Sequence, residues 1–212
     1  MKRLPMLIGM LLLLVSSRAQ AAIIIAHIKV DNSYSLYDSR NDAEEGDLIG
    51  SWTFGPGADT WACEIDAESP VHYLHVRGWD VGVLAGFLGD FTLSEDDPFV
   101  FRNGTKHLTT NIIDWTVRRD GWTGPTLPVT WAGYHDGHNG DEPWGPYPDI
   151  DADATWIWTN YGRDIGNDSG RLDRFFSAEI VKTPMPSIPE PSSLFLLGSG
   201  LLGLAGWRRR PS

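Results

Sequence analysis

The chain has a single cysteine, Cys63, in 212 residues. No intrachain disulfide can form, so stability has to come from packing. Basic residues are scarce: 17 Lys and Arg stand against 28 Asp and Glu, a formal net charge of −11. Six of the basic residues (Lys2, Arg3, Arg18, Arg208, Arg209 and Arg210) lie in the terminal segments. The 11 basic residues left between them leave that part of the chain near −17. Such a balance argues against nucleic acid and anionic membrane surfaces as partners. Helical periodicity is nearly absent from the body of the chain. There is no Gly-x-Ser-x-Gly elbow, no HExxH, no P-loop and no dinucleotide fingerprint. A pair of carboxylates for glycoside hydrolysis stays open, because such a pair is defined by its spacing in the fold and not in the sequence.

What is present is concentrated first at the two ends. Lys2 and Arg3 form a basic start, Leu7 to Val15 an apolar run, and Ala19-Gln20-Ala21 a small-x-small cleavage site. This is the organisation of a secretory signal peptide, with cleavage expected after Ala21. At the other end Pro189 and Pro191 hold Glu190 extended and bar a helix before about Ser192. The charge-free stretch Leu194–Trp207 follows. As a helix it is roughly 21 Å long, short of a ~30 Å hydrocarbon core unless flanking residues snorkel or the bilayer thins. Gly198, Gly200, Gly203 and Gly206 give it a smooth surface for close approach by another membrane protein. Arg208, Arg209 and Arg210 stay cytoplasmic by the positive-inside rule and place the body outside.

Pro189-Glu190-Pro191, the apolar run and the arginine triplet together resemble the PEP-CTERM sorting signal of Gram-negative bacteria. The resemblance covers about the last 25 residues, with Ile188 where members often carry Val. It implies an exosortase, a membrane cysteine protease, as processing partner, with transient anchorage in the inner membrane before release to the cell surface or extracellular matrix. It also implies an association with exopolysaccharide, and no catalytic role for the chain, which is the substrate.

Between the ends, strand-like stretches alternate with Gly, Asp, Asn and Pro clusters. Ile23 to Tyr37 supplies one or two strands, Leu48 to Phe54 another, and Val71 to Trp79 alternates with Leu74 and Val76 on one face. Val83 to Leu93 follows, then Phe99 to Leu108 as a short hairpin with Asn103-Gly104-Thr105 at its turn. Trp115 to Arg119, Thr155 to Thr159 and Arg174 to Val181 complete about eight strands, and Gly133 to Asp153 is a long acidic loop. The fold class is all-β, an antiparallel β-sandwich, flanked by an N-terminal signal helix and a C-terminal transmembrane-like helix. The segments are 1–21 (signal), 22–183 (sandwich), 184–187 (linker) and 188–212 (sorting and anchor). Val30 to Tyr37, Tyr73-Leu74-His75-Val76, Ala85 to Gly89 and Trp156-Ile157-Trp158 resemble galactose-binding-like jelly rolls, which implies an extracellular carbohydrate-binding module. Asp38 to Asp42 departs from the Asn-Gly display turn many such modules carry.

Nine tryptophans precede residue 190. Trp122, Trp131 and Trp144 sit in Gly/Pro-rich contexts, where an indole either stacks on a sugar face or closes the end of the sandwich core. Tyr134 and Tyr147 stand with them as sugar-contact candidates. Asp149, Asp151 and Asp153 space three carboxylates at i, i+2, i+4, oxygen ligands suited to calcium, although the glycine and terminal glutamate of an EF-hand loop are missing. A solvated acidic loop is the alternative, and the jelly-roll resemblance is what implies a structural calcium. His135 and His138 have no third or fourth soft ligand at a suggestive spacing, so zinc is not expected from them. The expectation is an exported non-catalytic surface protein that binds or co-assembles with extracellular polysaccharide. A glycan-processing enzyme and a structural protein that binds protein partners are the alternatives.

Overall fold

A computed structural model describes residues 22–81, 84–133, 136–159 and 172–183. The expected signal helix, the linker 184–187, the sorting segment with Pro189, Glu190, Pro191, Arg208, Arg209 and Arg210, and the residues Tyr134 and His135 lie outside them. Among the described residues no helix is long and apolar enough to cross a membrane.

The described chain forms thirteen strands. In order they are β1 (Ala22–Asp31), β2 (Ser33–Ser39), β3 (Asp47–Thr53), β4 (Asp59–Ile65) and β5 (Val71–Asp80). Then come β6 (Gly86–Leu93), β7 (Phe99–Phe101), β8 (His107–Thr109), β9 (Thr116–Arg118) and β10 (Thr126–Leu127). The last are β11 (Val129–Trp131), β12 (Ile157–Thr159) and β13 (Leu172–Lys182). One sheet has the order β11-β12-β6-β1-β4, with β8 also on β6; the other runs β10-β9-β13-β5-β2-β3, with β7 on β13. Every pairing is antiparallel. The protein is therefore an all-β sandwich of two antiparallel sheets, consistent with a jelly-roll body.

The alternation of β1 shows why these residues make this fold. Ala22, Ile24, Ala26, Ile28 and Val30 are buried, while Ile23 and Ile25 between them are exposed. A period of two with β-branched residues is what a half-buried strand requires. Facing β1 and its neighbour β6, the second sheet contributes Leu36, Leu74, Val76, Phe176 and Ile180 to the same core. Phe87 of β6 meets Phe176 of β13 at 5.1 Å between ring centroids, and Trp115 edge-on at 5.0 Å. Trp158 packs on Phe176 at 5.4 Å. Each such ring buries enough apolar area for roughly 1.5–3 kcal/mol, so this aromatic layer is the main adhesive between the sheets.

The sequence-based count of about eight strands is too low. β4 was missed, and β10 and β11 are too short to leave a periodic signal. The Phe99–Leu108 hairpin divides: β7 joins β13 in one sheet while β8 joins β6 in the other. The bonds Phe101 N–H to Thr105 O (2.9 Å) and Gly104 N–H to Phe101 O (2.8 Å) make it a tight crossing between sheets.

Where the sheets meet at their β3 and β4 edges, Trp61 lies across Gly50. A Cβ on Gly50 would come within 2.5 Å of the indole, so only glycine fits there. The Trp61 N–H donates to the Tyr34 hydroxyl, which donates to Asp59, both at 2.8 Å. Burial raises the Tyr34 pKa, so the phenol stays protonated as a donor. Cys63, half-buried on β4, has its thiol pushed up to about 11 by burial and by the nearby Asp38 and Asp47 carboxylates, and is unreactive as a nucleophile at neutral pH.

Candidate functional site

The outward-facing side of the β1–β6 sheet carries the polar residues that the core excludes. In register across β1 and β6, His27 stands opposite Asp90, Lys29 opposite Leu88, and Asp31 opposite Gly86. On β8, Thr109 lies beside Asp90 and His107 beside Thr92. Lys29 and Leu88 face outward yet are buried; the Lys29 ammonium donates to the Gly55 carbonyl between β3 and β4, and the long loop between β11 and β12 reaches it through Tyr147.

Three contacts fasten that loop to the sheet. Trp144 donates its indole N–H to the Asp31 carboxylate at 2.8 Å and stacks on Trp156, with centroids 4.1 Å apart. Gly86 makes room for this stack, since a Cβ there would lie 2.7 Å from Trp156 and 2.9 Å from Trp144. The Tyr147 ring sits 5.8 Å from the Lys29 ammonium. Burial lowers the Lys29 pKa, against the opposing pull of Asp59 and Asp31. Last, the Asp151 backbone N–H donates to Asp90 Oδ2 at 3.1 Å. Within the loop Asn139 acts as a clasp: its amide donates to the carbonyls of Tyr147 (3.0 Å) and Ile150 (2.8 Å) and accepts from Tyr147 N–H (2.9 Å).

The loop's rim and β6 enclose an open cleft of about 550 Å³ lined by Asp90, Asn139, Tyr147, Asp149, Ile150 and Asp151, among others. At its edge Asp90 Oδ1 and His107 Nε2 lie 2.7 Å apart. The ligand atoms of Asp90, His107 and Asp151 all fall within 4.8 Å of one another. This is a convergent, polar and open site, with one aromatic ring and three carboxylates lining it.

The candidates from the sequence fall in different places. Trp131 is 51% exposed on the edge strand β11, from which the loop departs. Trp144 is half-buried in the stack just described. Trp122 is 7% exposed: it lies face to face on His75 at 3.9 Å and edge-on to Phe175 and Tyr37, closing a small second core on the outside of the other sheet. Its indole therefore offers little surface to a sugar. Asp151 reaches the cluster with Asp90 and His107, and Asp149 lines the same cleft. Asp153 is exposed, with its N–H held by Asp151 Oδ1 at 2.8 Å, outside the three-residue group. His138 is exposed and its N–H bonds Asp141. Sequence reasoning missed Asp90 and His107, which sit on different strands far from Asp151. The one local signal was Asp90 itself, the only charged residue in the run Gly86–Leu93.

A PEP-CTERM protein-sorting motif matches residues 187–210. No curated protein and no solved structure matches the chain. The motif marks the protein for export and for membrane-associated processing by an exosortase in Gram-negative bacteria.

Proposed function

We propose that this is a non-catalytic surface protein, delivered through its sorting motif, whose β-sandwich holds extracellular polysaccharide. The contact region in this reading is the cleft between β6 and the β11–β12 loop, together with the exposed Trp131. The observation that carries the proposal is the pairing of a sorting motif with a body whose loop presents an open polar cleft. A polyhydroxylated ligand needs both elements that this region offers. Carboxylate and carbonyl oxygens at the cleft accept hydrogen bonds from hydroxyls, and a flat indole covers the apolar face of a ring. The acidic body suits a partner that is neutral or bridged by cations.

Affinity electrophoresis of the processed protein through gels containing the host's exopolysaccharide tests this reading. Retardation is expected, and Trp131→Ala is expected to weaken it about tenfold, in keeping with the loss of one stacking contact of roughly 1–1.5 kcal/mol. Unretarded migration at every polysaccharide concentration overturns the proposal. Release of shorter glycans during the same incubation favours the enzymatic alternative.

A further inference from the structure

We propose that Asp90, His107 and Asp151 form a binding site for a borderline transition-metal dication of the zinc class. The inference goes beyond polysaccharide binding and does not depend on it.

The argument rests on how the three donors are arranged. They come from three separate parts of the chain: the middle of β6, the start of β8, and the tip of the β11–β12 loop. Their ligand atoms nevertheless lie within 4.8 Å of one another. Around a tetrahedral ion with bonds of about 2.0–2.1 Å, neighbouring donors stand roughly 3.3 Å apart. Asp90 Oδ1 and His107 Nε2, at 2.7 Å, need to part only slightly to admit the ion between them. A ligand atom of Asp151 already lies within 4.8 Å of both.

The supporting bonds leave the right atoms available. Asp90 uses Oδ2 to hold the Asp151 backbone N–H, so one carboxylate both carries a ligand atom and fixes the segment that supplies another. Asp151 uses Oδ1 to accept the Asp153 N–H, which fixes its rotamer and keeps Oδ2 for a cation. Asp90 is mostly shielded, with 13% of its side chain exposed, so its charge is poorly screened and attracts a counter-ion more strongly than a fully solvated carboxylate does. His107 remains 44% exposed and accessible from solvent.

Donor chemistry selects the ion. Calcium prefers six to eight oxygens, whereas an imidazole with two carboxylates suits zinc and its neighbours. Three protein ligands leave a fourth position facing solvent. The calcium reading of Asp149, Asp151 and Asp153 draws on one residue of this set, but Asp153 stands outside it.

The test is equilibrium titration of the full-length, tag-free chain in detergent with Zn²⁺ alone, with Co²⁺ as a spectroscopic substitute. One equivalent should bind, with Co²⁺ giving visible absorption typical of a four-coordinate site. His107→Ala and Asp151→Asn should each weaken Zn²⁺ binding about 100-fold or more, while melting temperatures in chelator stay within about 2 °C of the wild type. That control separates loss of a ligand from loss of the fold. A His27→Ala variant, altered at the register partner of Asp90 but outside the ligand set, should bind as the wild type does. The inference is overturned by absence of stoichiometric binding, by binding that survives both ligand substitutions, or by stabilisation with Ca²⁺ but not Zn²⁺.

Discussion

Two buried histidines three positions apart on β5 respond to acid in opposite directions. His72 donates toward Asp38 from Nδ1 (2.8 Å) and toward the Asp66 carbonyl from Nε2 (2.8 Å). An imidazole that meets acceptors on both nitrogens favours its cation. Burial alone pulls its pKa down, but the Asp38 bond and charge outweigh that, and the net shift is upward. His75 lies under Trp122, and its contacts to Glu45 O (3.3 Å) and Asp42 Oδ1 (3.4 Å) are long. Burial dominates there and the pKa falls. The raised group stabilises the fold fully below its unfolded value of about 6.5, and that contribution is lost as pH rises through the folded value. The depressed group destabilises the fold as pH falls below about 6.5. Urea unfolding at pH 5 and pH 9 checks both signs. Asp38→Asn should cost more stability at pH 5 than at pH 9, and His75→Gln should cost less at pH 5 than at pH 9. A gap that is the same at both pH values for Asp38→Asn contradicts the assigned pairing.

The residue scale also marks where the sequence was hardest to read. Trp122, Trp131 and Trp144 share Gly/Pro-rich surroundings, yet one closes a small core, one lies open on an edge strand and one is half-stacked. What decides each case is the sheet face beneath it, set by partners tens of residues away: His75 under Trp122, Gly86 and Trp156 under Trp144. Asp90 and His107 were missed for the same reason, since only the fold brings them to Asp151.

At the scale of elements, strands with clean alternation were legible. Val71–Trp79 places Leu74 and Val76 on one face as read, and that face is the buried one. β4 was not legible, because Asp59–Ile65 mixes Thr, Trp, Ala, Cys and Glu on an edge where both faces are partly wet. The β7–β8 connection looked like a hairpin because a tight turn leaves the same local signature whether the strands pair with each other or part to different sheets. The long loop was recognisable by its Gly, Pro and Asp content, while its hold on the sheet was not. The loop's own shape, which sets Tyr147 and Asp151 against the sheet, is held by Asn139. Replacing it with alanine removes bonds to Tyr147 and Ile150 and leaves backbone groups without partners, at about 1 kcal/mol or more each. Hydrogen exchange in 141–153 is therefore expected to quicken roughly 10- to 100-fold, with β1, β5 and β13 protected as before. Uniform acceleration across the sandwich, or none in the loop, counts against the clasp.

At the scale of the whole molecule, two parts have separate tasks. The sorting motif over 187–210 determines route and processing, and it was legible because its three parts are local, ordered and chemically unlike the body. In the proposed function the sandwich determines what is held after release, through a cleft assembled from distant parts of the chain. If the proposed division holds, delivery and retention come apart experimentally. The direct measurement is the distribution of the processed protein between extracellular matrix and culture fluid, by quantitative immunoblot, in cells that make exopolysaccharide and in cells that do not. Cleavage at the C-terminal segment should proceed equally in both, with the protein held in the matrix of the first and free in the fluid of the second. The same distribution in both strains would contradict polysaccharide binding as the role of the β-sandwich.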